Sequence, residues 1–319
     1  MGEGSNSLKP AIYRSVPLPP ILTAGALPPK YSNGAKRFRY SGTRLFPIAP
    51  LSQHHPSKPI QLPTAVPPSL QPQCRAWRDL LQATDWVASL GWQPNPSQLE
   101  QLERLYEVVI LGNTLLNLTR LTEPSEFWEK HLWDSLRGLL SLGSWDELTE
   151  QSLTAIDIGS GPGFPGLPAA IALPNGSFAL LDSTKRKVDY LQQAIDRVEL
   201  SNTAAIASRV ELLSQREQYD LAILRAIGPA EVCAEYCFPL LKQGGRAILY
   251  RGRWTLEEES TLATAAEILG GEIATVDAFA TPTSQSVRHC IVLQKTAETP
   301  AKFPRAPGFA ARQPLGCKR

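Results

Sequence analysis

Four glycines fall within eight residues, Gly159, Gly161, Gly163 and Gly166 in the stretch GSGPGFPG. An acid, Asp182, follows about twenty residues after them. Glycines in such a cluster let a chain turn sharply and let its backbone approach a ligand where a Cβ would obstruct. A carboxylate at that distance accepts hydrogen bonds from ribose hydroxyls, so the two features together outline a nucleoside pocket.

The elements that must position these residues are legible around them. Leu153, Ala155, Ile156 and Ile158 form a short apolar run that reads as a buried parallel strand leading into the glycines. Pro165 has its φ pre-set for the first turn of a helix over Leu167 to Leu173. Phe178 to Asp182 reads as the next strand, and a helix over Lys185 to Val198 follows. A weak strand at Ala204 to Ala207 precedes a stronger one at Tyr219 to Leu224. Then come a helix at Glu231 to Leu241, a Gly244-Gly245 turn, a strand at Ala247 to Tyr250 and a helix at Leu256 to Leu269. The alternation specifies an α/β fold with a mostly parallel, Rossmann-like sheet covered on both faces. Glu272 to Phe279 and His289 to Gln294 read instead as a terminal antiparallel hairpin, which points away from a pure dinucleotide-binding fold. Pro162 and Pro165 also leave few backbone N–H groups for a pyrophosphate. S-adenosyl-L-methionine, which has none, therefore fits better than a nicotinamide dinucleotide.

Ahead of the sheet, Ser97 and Glu100 form a capping-box pattern, and Leu99, Leu102, Leu105, Tyr106, Val109 and Leu116 keep one apolar face. After a turn at Asn117 to Glu123, a second helix carries Phe127, Trp128, His131, Leu132, Ser135, Leu136 and Leu139 at helical spacing. His131 in that setting reads as a packed, hydrogen-bonded residue. The domain organisation expected is a disordered, Pro-rich, basic extension over residues 1–75, a helical subdomain over 76–150, a cofactor-binding domain over 151–297 and a basic tail over 298–319.

Charge is segregated along the 319 residues. Residues 1–75 carry nine Lys or Arg and a single acid, Glu3, whereas residues 76–298 carry 18 basic and 29 acidic side chains. An acidic body repels phosphates as a whole, so contact with nucleic acid must use local patches. No run approaches the roughly 20 apolar residues of a bilayer span, and a cytoplasmic protein is expected. A plastid address is the alternative if residues 1–75 are a transit peptide, although Pro17 to Pro20 would break its amphipathic helix. The five cysteines are odd in number and lack CxxC spacing, which fits a reducing compartment. Cys233 and Cys237 have no neighbouring histidine to complete a metal site, so no metal is expected.

Several separated stretches resemble one family. GSGPGFPG, LLDSTKRKVDYL, LRAIGP, NLTRLTEPSEFWEKHLWDSL and FPRAPGFAARQPL look like the bacterial small-subunit rRNA guanine-N7 methyltransferases, the glucose-inhibited division protein B family. The likeness runs from about Leu90 to Leu315. It implies a class I methyltransferase that moves a methyl group from S-adenosyl-L-methionine to N7 of a guanine in 16S rRNA, with the small ribosomal subunit as partner. It also implies cofactor contacts at Gly159, Phe164, Asp182, Ser183, Thr184, Val210, Glu211 and Arg225. Relatives commonly carry Lys-Gly after the strand at Ala247, where this chain has Arg251-Gly252, so only the charge of that position transfers.

The residues agree with that chemistry. Guanine N7 is an in-plane lone pair with no proton to remove, so in-line positioning suffices and no catalytic base is expected. Cys233 and Cys237 fall inside a helix, where thiolate activation for cytosine-C5 transfer is not expected. The Arg225 to Pro229 stretch stands where amino-methylating enzymes carry an Asn/Asp-Pro-Pro-aromatic corner. RNA contact is expected from Arg251, Arg253, Lys302, Arg305 and Arg312, the tail cations interleaving with Phe303 and Phe309 as phosphate contact and base stacking require. The competing readings are methylation of another RNA, a protein or a small molecule, and a non-catalytic rRNA-binding assembly factor.

Overall fold

The computed structural model describes residues 60–317. The expected extension lies outside them except for its last stretch, and there the boundary near Ala76 moves. The first helix, α1, is Gln71–Ala83, and the chain is anchored before it. Leu62 is buried, its N–H donates to Gln193 Oε1 at 2.9 Å, and Arg197 donates to its carbonyl at 3.0 Å. These partners lie far along the sequence, where no local pattern signals them.

Two further helices, α2 (Trp86–Leu90) and α3 (Pro96–Asn113), follow. The capping box of α3 is Asn95 with Gln98, two residues ahead of the Ser97–Glu100 pattern, because Pro96 takes the first helical position, where a missing N–H costs nothing. The Gln98 amide also reaches the Ile171 carbonyl at 2.9 Å, tying this helix to the sheet domain. Leu116 lies past the end of α3.

The second predicted helix is a composite of α4 (Pro124–Phe127), a π-helical turn (Trp128–Trp133) and α5 (Asp134–Leu139). Widened turns of this kind recur at functional sites, and this one carries His131. After α6 (Trp145–Glu150) the sheet begins.

The sheet and its helices run β1 (Thr154–Ile158), α7 (Gly166–Ala172), β2 (Ser177–Asp182), α8 (Lys185–Val198), β3 (Thr203–Ala207), a 3-10 turn at Val210–Leu212, β4 (Tyr219–Arg225) and α9 (Ala230–Cys237). They continue with β5 (Leu241–Arg251), α10 (Leu256–Leu269), β6 (Gly271–Ala280) and β7 (Val287–Lys295), and α11 (Phe309–Arg312) lies in the tail. Pro239 stops α9 short of Leu241. The Gly244-Gly245 turn is absorbed into β5 as a bulge. Tyr219 pairs with Leu241 and Leu221 with Arg246, so the bulged strand spends five residues against two, and Gly244 takes φ +77° there.

Strand order is β3-β2-β1-β4-β5-β7-β6. The first five strands are parallel, and β7 is antiparallel to both neighbours, as the hairpin pattern predicts. Alternate residues serve opposite layers. Ala155, Leu180 and Ile223 pack with α3, α5, α7 and α8, whereas Ile156, Leu181 and Leu224 pack with α9 and α10. The helical subdomain thus shares a continuous core with one sheet face, and its α4–α5 composite reaches the hairpin. Glu129 accepts the Thr283 and Ser284 N–H groups at 2.6 and 2.7 Å, and Arg137 pairs with Asp277 at 2.7 Å. Among the described residues no helix is long and apolar enough to cross a membrane.

Candidate active site at the carboxyl edge of the sheet

The strand order reverses between β1 and β4, since β2 continues on one side and β4 starts the other. In open α/β sheets such a switch point opens a crevice at the carboxyl ends of the strands. Gly159 to Pro165 cross this edge. Gly159 and Gly161 adopt φ of +71° and +58°, which residues with a Cβ rarely tolerate. The Gly159 and Ser160 N–H groups donate to the Leu181 carbonyl at 2.8 and 2.9 Å, which binds the loop to β2.

Asp157, a buried residue of β1, closes the loop from beneath. Its Oδ2 accepts from the Ser160 hydroxyl at 2.7 Å and from the Gly166 N–H at 2.9 Å. Burial pushes its carboxyl up to about 6, against the pull of those two donors.

Asp182 ends β2 and is buried. Its Oδ2 accepts the Gly161 N–H at 3.1 Å and its Oδ1 the Thr184 N–H at 2.8 Å. Each oxygen keeps a further acceptor direction. Asp182 lines a cavity together with Gly159, Ser183, Val210 and Glu211, five of the eight expected cofactor residues. Ile158, Leu181 and Ile227 add apolar walls, and Ser208, Arg209 and Tyr236 complete the cavity. These last three are contributed by loops and a helix whose approach only the fold reveals.

Glu211 is fixed from two sides. Arg209 pairs with it at 2.7 Å, and the tail's Gly308 N–H donates to it at 2.9 Å. Burial works to raise its carboxyl, but these donors hold it below the usual glutamate range. The C-terminal tail is thus part of the site's architecture.

The remaining three expected cofactor residues sit elsewhere. Thr184 is exposed at the N-cap of α8 and contributes its N–H to Asp182 rather than its side chain to the cavity. Phe164 is buried on the helical side of the loop, edge-on to Phe127 with centroids 5.4 Å apart and stacked on His131. Arg225, at the end of β4, points into the α4–α5 composite. It donates to the Lys130 carbonyl at 3.1 Å, to Asp134 Oδ2 at 3.1 Å and to His131 Nδ1 at 3.2 Å. His131 is therefore packed and hydrogen-bonded as its sequence setting implies, between Arg225 and the Phe164 ring of the glycine loop. Burial and the adjacent Arg225 charge drive its imidazole down to about 3.

Of the five cations expected to meet RNA, two are engaged internally. Arg251 donates to the Gly228 carbonyl at 2.6 Å and so holds the β4–α9 loop. Arg305 grips the fully enclosed Glu235 through its backbone N–H and its guanidinium at 2.5 to 3.0 Å, and also donates to the Gln313 carbonyl. A buried acid on α9 claims this arginine, a pairing that composition alone does not disclose. Arg253, Lys302 and Arg312 are exposed. Cys233 is buried, which pushes its thiol up to about 11.

Residues 98–288 match the family profile GidB, described as rRNA small subunit methyltransferase G. A ribosomal RNA small subunit methyltransferase G from a Synechococcus species is 52% identical over 263 residues, covering 81% of this chain and 98% of its own length. That of Synechococcus elongatus is 53% identical over 240 residues, covering 74% and 98%, and that of Gloeobacter violaceus is 51% identical over 231 residues, covering 71% and 90%.

Proposed function

Because the chain belongs to the GidB family of rRNA small subunit methyltransferases, we propose that it transfers a methyl group from S-adenosyl-L-methionine to N7 of a guanine in 16S rRNA. The observation that carries this reading is the Asp182 carboxylate at the switch point, anchored by two backbone N–H groups with acceptor directions to spare.

The side chains present fit the methyl donor. Asp182 would accept from the ribose hydroxyls, Ile158, Val210 and Ile227 would offer apolar walls to a purine, and Glu211 is an ionised acceptor at the same cavity. When bound, the donor supplies an electrophilic methyl on a sulfonium. The protein's share is then to align the guanine, exclude water and leave N7 unprotonated, which requires no base. His131 has no free basic nitrogen for proton transfer, since Nδ1 receives Arg225 and Nε2 faces Thr119. Cys233 is held as a thiol by burial, which disfavours a covalent cytosine mechanism.

Arg253, Lys302 and Arg312 serve as phosphate contacts in this reading, while Arg251 and Arg305 shape the surface that carries them. The substrate places the enzyme with small ribosomal subunits in the cytoplasm, or in a plastid if residues 1–75 are a transit peptide. The test is incubation of the protein with labelled S-adenosyl-L-methionine and unmethylated small-subunit RNA or 30S particles, followed by mapping of the modified base. Label at N7 of a single guanine supports the reading; label elsewhere, or none, removes it.

A further inference from the structure

The loop between α3 and α4 carries, next to the His131 ring that stacks on Phe164 of the glycine loop, a hydroxyl whose hydrogen-bonding role is dictated by its neighbours. Asn113 Oδ1 accepts the Leu118 and Thr119 N–H groups at 2.9 and 3.0 Å and fixes the loop's path. Thr119 Oγ1 then lies 2.8 Å from His131 Nε2 and 3.0 Å from the Leu121 N–H.

Proton bookkeeping settles the direction of each bond. The Arg225 guanidinium only donates, so His131 Nδ1, 3.2 Å away, must accept. Buried beside that cation, the imidazole is neutral, and its single N–H is on Nε2. It donates to Thr119 Oγ1, and the Leu121 N–H donates to the same oxygen. Both lone pairs of the hydroxyl are thereby filled. Its proton has no acceptor among the described residues, and the partly exposed Thr119 is one imidazole away from Arg225 at the carboxyl edge of the sheet. The site thus presents a neutral group that can donate and cannot accept.

Guanine shows two acceptors side by side on its major-groove edge, N7 and O6, whereas adenine shows N7 beside an amino donor. An enzyme that methylates N7 must leave N7 free, so it can hold that edge only through O6. A neutral donor suits this better than a cation, which would draw electron density from the nucleophile. Resting on the guanine-N7 reading above, we infer that the Thr119 hydroxyl donates to O6 of the target base and selects guanine over adenine, with His131 as the positioning residue that keeps it a pure donor. Adenine at this position would set an amino group against a hydroxyl with no lone pair left to accept it.

The test compares two RNAs that differ at the mapped target base, one with guanine and one with 2-aminopurine, which keeps N7 and lacks O6. The wild-type protein is expected to methylate 2-aminopurine about tenfold to a hundredfold more slowly in kcat/KM, the cost of losing one hydrogen bond to an oriented donor. Thr119→Val is expected to lose a similar factor on guanine and little more on 2-aminopurine, with S-adenosyl-L-methionine affinity by calorimetry unchanged. Thr119→Ser, which keeps the hydroxyl, is expected to stay near wild type. Equal loss on both RNAs, or no loss on guanine, overturns the inference. Should Thr119→Val not fold, the wild-type ratio alone decides, and a ratio near one overturns it. A wild-type protein that binds the methyl donor yet leaves the guanine RNA unmodified removes the guanine-N7 reading, and this inference with it.

Discussion

The imidazole of His131 lies flat on the ring of Phe164, with centroids 4.6 Å apart and planes 17° from parallel. Phe164 belongs to the glycine loop, and His131 to the π-helical turn of the helical subdomain. Their contact, extended by Phe127 edge-on to both rings, welds the cofactor loop to the element that holds Arg225. Each aromatic contact adds about 0.5 to 1.5 kcal/mol beyond burial. Loop, turn and the end of β4 are therefore expected to move as one body.

That arrangement gives the protein an acid sensitivity of defined sign. In the folded state His131 titrates at about 3 against 6.5 unfolded, so between these values the unfolded chain binds the extra proton and stability falls as pH is lowered. Asp157 acts oppositely. Its folded value of about 6 against 3.8 means that the native state binds the extra proton between those limits, and stability rises as pH falls through them. His131→Gln is expected to flatten the loss of stability below pH 6.5, and Asp157→Asn to steepen it. Urea midpoints measured from pH 7 to pH 4 check both, and an unchanged slope in either variant contradicts its assignment.

Asp182→Ala is expected to weaken S-adenosyl-L-methionine binding roughly tenfold to a hundredfold, the value of one or two hydrogen bonds to a charged acceptor. The fold should persist, because the Gly161 and Thr184 N–H groups that lose their partner lie beside an open cavity that water can enter. Calorimetric titration with unchanged affinity would take Asp182 out of the site.

How far the sequence discloses this site depends on the range of the forces involved. The strand, glycine loop and acid are local, and Gly159 and Asp182 do meet at one cavity; Ser183, Val210 and Glu211, which join them there, are named by the family resemblance and not by any local pattern. The α8 and α10 bounds are also read correctly, because helical periodicity is a local signal. The bulge in β5 is not legible, since Gly244-Gly245 has the same letters as a turn and only pairing with β4 absorbs it. Nor are the partners of Arg225, Arg251 and Arg305, whose fates are set by Asp134, Gly228 and Glu235 on other elements. An isolated arginine looks like a phosphate ligand until the fold brings a buried acceptor to it.

Gly166→Ala tests the close packing behind the loop. A Cβ there would fall 2.3 Å from Leu180 Cδ2 and 2.6 Å from Asp157 Oδ2, both inside the core. Something must shift, and overpacking of this kind costs about 1 to 3 kcal/mol. A lowered urea midpoint with weakened cofactor binding is the expected result. A variant as stable as wild type would mean that α7 can slide outward without disturbing Asp157.

Arg305→Ala separates a structural cation from an RNA-binding one. Glu235 is 1% exposed and accepts three hydrogen bonds from the Arg305 guanidinium, so truncation leaves a buried carboxylate without its counter-ion, a loss of about 3 to 5 kcal/mol. The tail from Pro304 to Phe309 is expected to loosen and release Glu211 from Gly308, weakening cofactor binding at a distance. Lys302→Ala and Arg253→Ala should do the reverse. Both side chains are exposed, so stability and cofactor affinity should hold while RNA affinity falls and the slope of log K against log salt shrinks by about one for each phosphate left unneutralised. Thermal melting and filter binding at several salt concentrations distinguish the two patterns. A stable Arg305→Ala protein with a reduced salt slope would return that residue to the RNA surface.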